Sequence, residues 1–222
     1  MNRNVLIIAG SVVGALVLAV GGFLSVASTQ PDEIHLERSI VISASAADVH
    51  AQVNDFNNFV QWSPWSPKDP NATREISDPS AGVGAKYSWS GNDQVGVGSM
   101  AITKSDANMI EQDLIFTSPM ESTSTVRTVL AAEGDDIKVT WSFDMPSNLM
   151  LKAMNTVGMA DMEAALGPDF EQGLQNLKIH TESAATGRME AEKVEADRIE
   201  ADRLAAEAAA MQDTDPVVEG LA

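Results

Sequence analysis

Hydrophobic positions recur at every second residue from 34 to 42: Ile34, Leu36, Ile40 and Ile42 share one side, and His35, Glu37 and Ser39 take the other. This predicts a first strand, with Arg38 breaking its apolar face. Ser45 followed by Asp48 has the form of a capping box and predicts a helix through Val49, Val53 and Phe56. Prolines at 64, 67 and 70 forbid a long helix there, so a short helix ends near Trp62 and a rigid loop carries Trp65. From residue 74 onward the period is two. Ala85, Tyr87 and Trp89 alternate with polar residues, as do Met100 with Ile102, Ile110 with Gln112, Leu114 and Phe116, Val126 with Leu130, and Ile137 with Val139, Trp141 and Phe143. Such segments read as antiparallel strands with one wet and one buried face. Gly91-Asn92-Asp93 and Glu133-Gly134-Asp135-Asp136 supply turns. A methionine-rich stretch, 148–166, predicts an irregular helical approach to the last element. There Phe170, Leu174 and Leu177 fall at i, i+4 and i+7 and predict an amphipathic helix over 168–182, opened by Pro168, Asp169 and Glu171 and closed by Lys178 and His180. One apolar helix face and one apolar sheet face bury each other most simply when a curved sheet closes on the long helix, an α+β arrangement.

Three regions follow: 1–30, 31–183 and 184–222. Residues 5–27 are an uncharged run of 23, long enough at 1.5 Å per residue to cross a hydrocarbon core of ~30 Å. Ser25-Val26-Ala27 also resembles a signal-peptide cleavage site, but the run exceeds the usual apolar segment of ~7–15 residues, which favours an uncleaved membrane anchor. Arg3 before the run and Asp32 and Glu33 after it place the remainder on the extracytoplasmic side, periplasmic in a bacterium. The tail repeats with a period of five, Val194, Ile199 and Leu204 each being followed by acidic residues or alanine. That period spirals apolar side chains around a helix instead of forming a seam, so a solvated helix, disordered from residue 212, is expected. A formal charge of −18 excludes a phosphate-neutralising surface and argues against nucleic acid, while leaving a protein partner for the acidic tail open. With no cysteines, thiolate chemistry and Cys-ligated metal are excluded.

The element order strand, two short helices, antiparallel sheet and terminal helix is joined by particular stretches: RSIVISASAADVHAQVNDFNNFVQWSPW from Arg38, DPN at 69–71, YSWSGNDQVGVGSMAI from Tyr87 and GPDFEQGLQNLK from Gly167. Together they resemble the helix-grip fold of the SRPBCC superfamily, also called START-like or Bet v 1-like, and within it bacterial proteins of the polyketide cyclase/dehydrase and lipid-transport group. The resemblance covers residues 34–182. It implies a curved antiparallel sheet around a long C-terminal helix, enclosing a ligand cavity. It implies no particular reaction, since the superfamily shares a cavity and not a catalytic motif.

His35, His50 and His180 lack metal-ligand spacing, no GxSxG elbow occurs, and Gly96-Val97-Gly98 precedes no helix, so a strand bend explains it better than a phosphate loop. No metal or cofactor is expected. Alternation puts Glu111, Asp113 and Asp144 on the wet side of their strands, and Asp55 and Asp69 suit capping and turns. Arg38 and Gln112 interrupt inward faces, where an unpaired polar group costs about 1–3 kcal/mol, so each needs a partner, either internal or a ligand head group. The candidate cavity lining is Arg38, Trp89, Met100, Ile102, Gln112, Leu114, Phe116, Val139, Trp141, Phe143, Phe170 and Leu174, with flexible Met145, Met150, Met154, Met159 and Met162 beside it. Trp62 and Trp65 plug or gate one end, the plug being favoured. The expectation is therefore a membrane-anchored protein that holds a hydrophobic small molecule, lipid-like or isoprenoid. The alternatives are a cyclase or dehydratase in which Gln112 or Arg38 polarises a carbonyl, and a structural protein acting through its tail.

Overall fold

A computed structural model of the chain describes residues 18–157 and 161–213. The period-two segments become strands β1 (Glu33–Ile42), β2 (Thr73–Ile76), β3 (Lys86–Ser90), β4 (Val97–Asp106), β5 (Met109–Ser118), β6 (Ser122–Glu133) and β7 (Asp136–Pro146). They form one antiparallel sheet in the order β1-β7-β6-β5-β4-β3-β2. Helices α1 (Ala46–Val53) and α2 (Phe56–Trp62) follow β1, α3 (Leu149–Thr156) follows β7, and α4 (Met162–Asp213) ends the chain. The caps are local: the Asp48 amide donates to Ser45 Oγ at 3.1 Å, and the Asn57 amide to Asp55 Oδ1 at 2.8 Å. The pairing of β4 with β5 shifts register between Val97 and Gly98, the bend expected at the glycine pair.

Two expectations about the last helix need correction. It starts at Met162, not Pro168, because the Asp161 carboxylate accepts from the Ala164 amide at 3.0 Å and caps an earlier turn. Pro168, which has no N–H to give to the preceding turn, is carried inside the helix. The helix also continues through residue 183 without a break, and its 52 residues span about 78 Å. α4 runs beside β1. Lys178 Nζ donates to Val41 O at 2.8 Å, the Ser43 amide to Glu182 Oε1 at 3.0 Å, and Arg188 pairs with Asp48 at 2.9 Å. After Arg188, residues 189–210 are exposed, with ion pairs Glu195–Arg198 at 2.6 Å and Glu200–Arg203 at 2.7 Å.

Beneath the sheet, Leu36, Ile42, Val49, Phe56, Ile102, Ile110, Val139 and Leu177 are the largest fully buried apolar side chains. On the opposite face Asp144, expected to be solvated, is buried: it accepts from His35 Nδ1 and Arg127 Nη1, each at 2.6 Å, and Arg127 Nε reaches Glu111 at 2.7 Å. The Asp144 hydrogen bond raises the His35 pKa above its ordinary 6.5.

Of the apolar run 5–27, residues 5–17 lie outside the described residues, as do Met159 and residues 214–222 of the end expected to be disordered from 212; Gln212 and Asp213 are instead helical. Residues 18–28 are helical, with Leu18, Val20 and Leu24 exposed. Among the described residues no helix is long and apolar enough to cross a membrane.

Candidate functional site: an aromatic-walled cavity

Between the sheet and α4 the side chains leave a cavity of about 460 Å³. One wall is built by α4 and β7, where the Trp141 and Phe170 rings stack with centroids 4.2 Å apart and Trp65 meets Trp141 edge-on at 5.8 Å. Trp65 is held there by Asp169, which accepts its indole N–H at 3.1 Å and binds Lys68 Nζ at 2.6 Å. Gly173 permits the close approach of α4, since a Cβ there would lie 2.7 Å from the Trp141 ring. The opposite wall is Tyr87 stacked on Trp89 at 5.4 Å, with Phe116 edge-on to Trp89 at 5.4 Å. Gly98 leaves room for the Trp89 ring, which a Cβ would meet at 2.6 Å. Exposed wall residues Asp93, Gln94 and Pro119 come from the β3–β4 and β5–β6 loops, so the cavity opens at that end of the sheet.

The polar groups are few. Ser63 and Ser124 are buried in the wall, and Arg74 lines it from β2. Burial raises the Tyr87 pKa while the neighbouring Arg74 charge pulls it down, so the phenol is neutral at physiological pH.

The family described as polyketide cyclase/dehydrase and lipid transport matches residues 33–182. The chain belongs to this family, within the SRPBCC superfamily. Three solved structures are similar, and the first two agree on the fold. The KanY protein is 16% identical with a TM-score of 0.52, covering 68% of this chain and 98% of its own. The di-domain ARO/CYC StfQ from the steffimycin biosynthetic pathway is 9% identical with a TM-score of 0.50, covering 69% of this chain and 52% of its own. The Aha1 dimer from Colwellia psychrerythraea is 18% identical with a TM-score of 0.48, covering 67% of this chain and 96% of its own. Among curated proteins none matches the chain.

For this SRPBCC member, Trp89, Met100, Leu114, Phe116, Trp141, Phe143 and Phe170 of the predicted lining stand in the cavity wall. Ile102, Val139 and Leu174 do not: they are packed into the core beneath it. Gln112 is also buried beside Ile102 and Val126 and outside the wall. Of the two partners open to Arg38, the internal one is found: its guanidinium turns to α4 and binds Glu163 and Glu171, the latter at 2.9 Å, so Arg38 is not part of the cavity lining as listed from sequence. Trp62 plugs the structure, buried with its indole N–H on Gln52 O at 3.1 Å, whereas Trp65 belongs to the wall. Sequence reasoning missed Phe59, Ser63, Arg74, Tyr87, Ser124 and Leu166 as lining. Arg74 left a readable signal: it shares a strand face with Ile76 and interrupts it as Arg38 does in β1.

Proposed function

We propose that this protein binds a single hydrophobic small molecule, lipid-like in character, inside the cavity, and that residues 5–27 anchor it to a membrane with the domain on the extracytoplasmic side. The observation that carries the reading is an open, aromatic-walled space of about 460 Å³ in a fold of this family, within the ~300–1,000 Å³ usual for ligand sites. The anchor is supported by the length and lack of charge of the run, and by exposed Leu18, Val20 and Leu24, which no part of the domain covers. Helix α3 adds to it. Its Lys152 is turned inward onto Asp32, while Leu149, Met150 and the adjoining Val157 are exposed, an inverted amphipathic arrangement suited to an apolar surrounding.

The enzyme alternative has less support, because Arg38 and Gln112, the groups suited by sequence to polarise a carbonyl, stand outside the wall. The test is native mass spectrometry of the full chain, released from detergent micelles after exposure to membrane extract. A defined hydrophobic adduct that is absent from a folded Leu114→Asp variant is the expected result. A bare mass at high lipid load would refute the binding reading. Alkaline extraction of membranes checks the anchor separately, since an anchored chain stays in the pellet.

A further inference from the structure

Arg74 is an unusual wall residue for a cavity this apolar. Its Nη2 donates to Ser66 O at 3.0 Å and Asp69 O at 2.7 Å, so the guanidinium is fixed by one nitrogen on the turn that follows α2. No ion pair among the described residues includes Arg74, and the neighbour its charge acts on is the Tyr87 phenol. Other cations that are buried or half-buried are paired: Lys152 with Asp32, Arg38 with Glu163 and Glu171, and Lys68 with Asp169. Arg74 is the cation of the wall, and no carboxylate among the described residues neutralises it.

Two hydroxyls share its corner. Tyr87 lies next to Arg74 across the β2–β3 pairing, since Arg74 is opposite Trp89 and Ile76 opposite Tyr87. Ser63 precedes the same turn, its carbonyl accepting from the Ser66 amide at 3.3 Å. Both are buried and line the cavity, and the Tyr87 phenol lies within reach of the Arg74 guanidinium. A fixed cation and two neutral donors thus meet at one end of a hydrocarbon-lined volume. The wall's carboxylate, Asp93, is exposed in the loop at the mouth and forms no pair with Arg74.

We propose that this corner is a head-group site, and that the ligand is a single-chain amphiphile ending in a carboxylate, which accepts from Arg74, Tyr87 and Ser63 while its hydrocarbon lies against Trp89, Phe116 and Trp141. A charge-assisted hydrogen bond in a site shielded from water discriminates strongly between an ionised acid and its neutral ester. The proposal rests on the cavity being a ligand site.

The test uses 11-bromoundecanoic acid and its methyl ester with the full chain in phosphatidylcholine nanodiscs at pH 8, where the acid is ionised. Bromine quenches tryptophan on contact, and all 4 tryptophans lie in the domain, three of them in the cavity wall. The expected result is that the acid binds about tenfold or more tighter than the ester. Arg74→Gln abolishes that preference, the acid then binding no tighter than the ester, and Arg74→Lys retains it. Rescue by the conservative Arg74→Lys variant separates loss of head-group recognition from a damaged cavity. Equal affinities in the unmodified protein, or an acid preference that survives Arg74→Gln, would overturn the head-group site alone. If neither compound quenches, the ligand-binding reading itself fails.

Discussion

Gly173 on α4 offers a sharp test of how tightly the cavity wall is packed. A Cβ at that position would stand 2.7 Å from Trp141 Cζ3, with Pro64 Cδ at 3.1 Å and Cγ at 3.2 Å, where non-bonded carbons settle at ~3.5–4.0 Å. Trp141 has little freedom to retreat. Its ring is stacked on Phe170 at 4.2 Å and met edge-on by Trp62 at 5.5 Å and Trp65 at 5.8 Å. The open direction is the cavity. Gly173→Ala therefore sets two effects against each other. Replacing glycine in a helix interior favours folding by about 1 kcal/mol, whereas overpacking a close-fitted site costs typically about 1–3 kcal/mol. With the clash directed at a clamped aromatic ring, the steric term wins, and a net loss of roughly 1 kcal/mol is expected. Gly187, further along the same helix, has nothing within 4 Å of its would-be Cβ. Gly187→Ala should show the propensity gain alone, as increased helical signal with no loss of stability.

The assay is equilibrium urea unfolding followed by tryptophan fluorescence, since far-UV circular dichroism would mix the exposed part of α4 with the domain. A Gly173→Ala protein as stable as the parent would refute the reasoning. It would mean that the Trp141 wall yields freely and that the ring positions are not fixed by packing.

Three further outcomes follow from the geometry. Asp169→Ala releases the Trp65 indole and Lys68 together, and should cost about 1–3 kcal/mol in urea unfolding, with red-shifted Trp emission as the Trp65 loop loosens. His35→Gln should have a pH-dependent cost: because Asp144 raises the folded-state pKa of His35 above 6.5, the stabilisation is full below that unfolded value and is lost as pH rises through the higher one. The difference in melting temperature between parent and variant is then largest near about pH 5.5 and vanishes at alkaline pH, and a constant difference would contradict the assignment. Ending the chain after Arg188 keeps the Asp48 tether, and residues 189–210 beyond it are exposed, so the urea midpoint should not move.

The strands were legible because one face of each is wet. Ile137, Val139, Trp141 and Phe143 alternate so regularly that their inward direction needed no further information, and the i, i+4, i+7 spacing of Phe170, Leu174 and Leu177 did the same for α4. Four-residue β2 was not separable from its loop, being too short to show a period. The start of α4 was misread because Pro168, Asp169 and Glu171 form a strong local start signal, while Asp161 acts through its side chain as a cap. Lining and core were not separable at all. Val139 and Trp141 share a face of β7, and only the distance to α4 decides that one is packed over while the other borders space. That distance depends on Gly173 and Gly98, whose role is visible only once the partner ring is in place. Arg38 illustrates the same limit: its inward position in β1 was read from alternation, but its carboxylate partners lie 125 and 133 residues away in sequence.

Strand register also fixes which end of the domain does what. Glu33 pairs with Pro146, Asp144 with Thr125, Ser122 with Phe116, and Ser118 with Val97, which brings the chain's entry into β1, helix α3 and the loops at the cavity mouth to one end of the sheet. The Asp48–Arg188 pair lies at the opposite end, because α4 advances beside β1 from Glu171 at Arg38 to Glu182 at Ser43. Residues 189–213 therefore leave the domain away from the mouth and reach about 38 Å beyond Arg188. They carry eight acidic and three basic residues, so an anionic lipid surface repels them. If residues 5–27 anchor the protein as proposed, the acidic helix behind α1 biases the domain the same way: the mouth would face the lipid from which an amphiphile enters, and the tail would point into the aqueous phase.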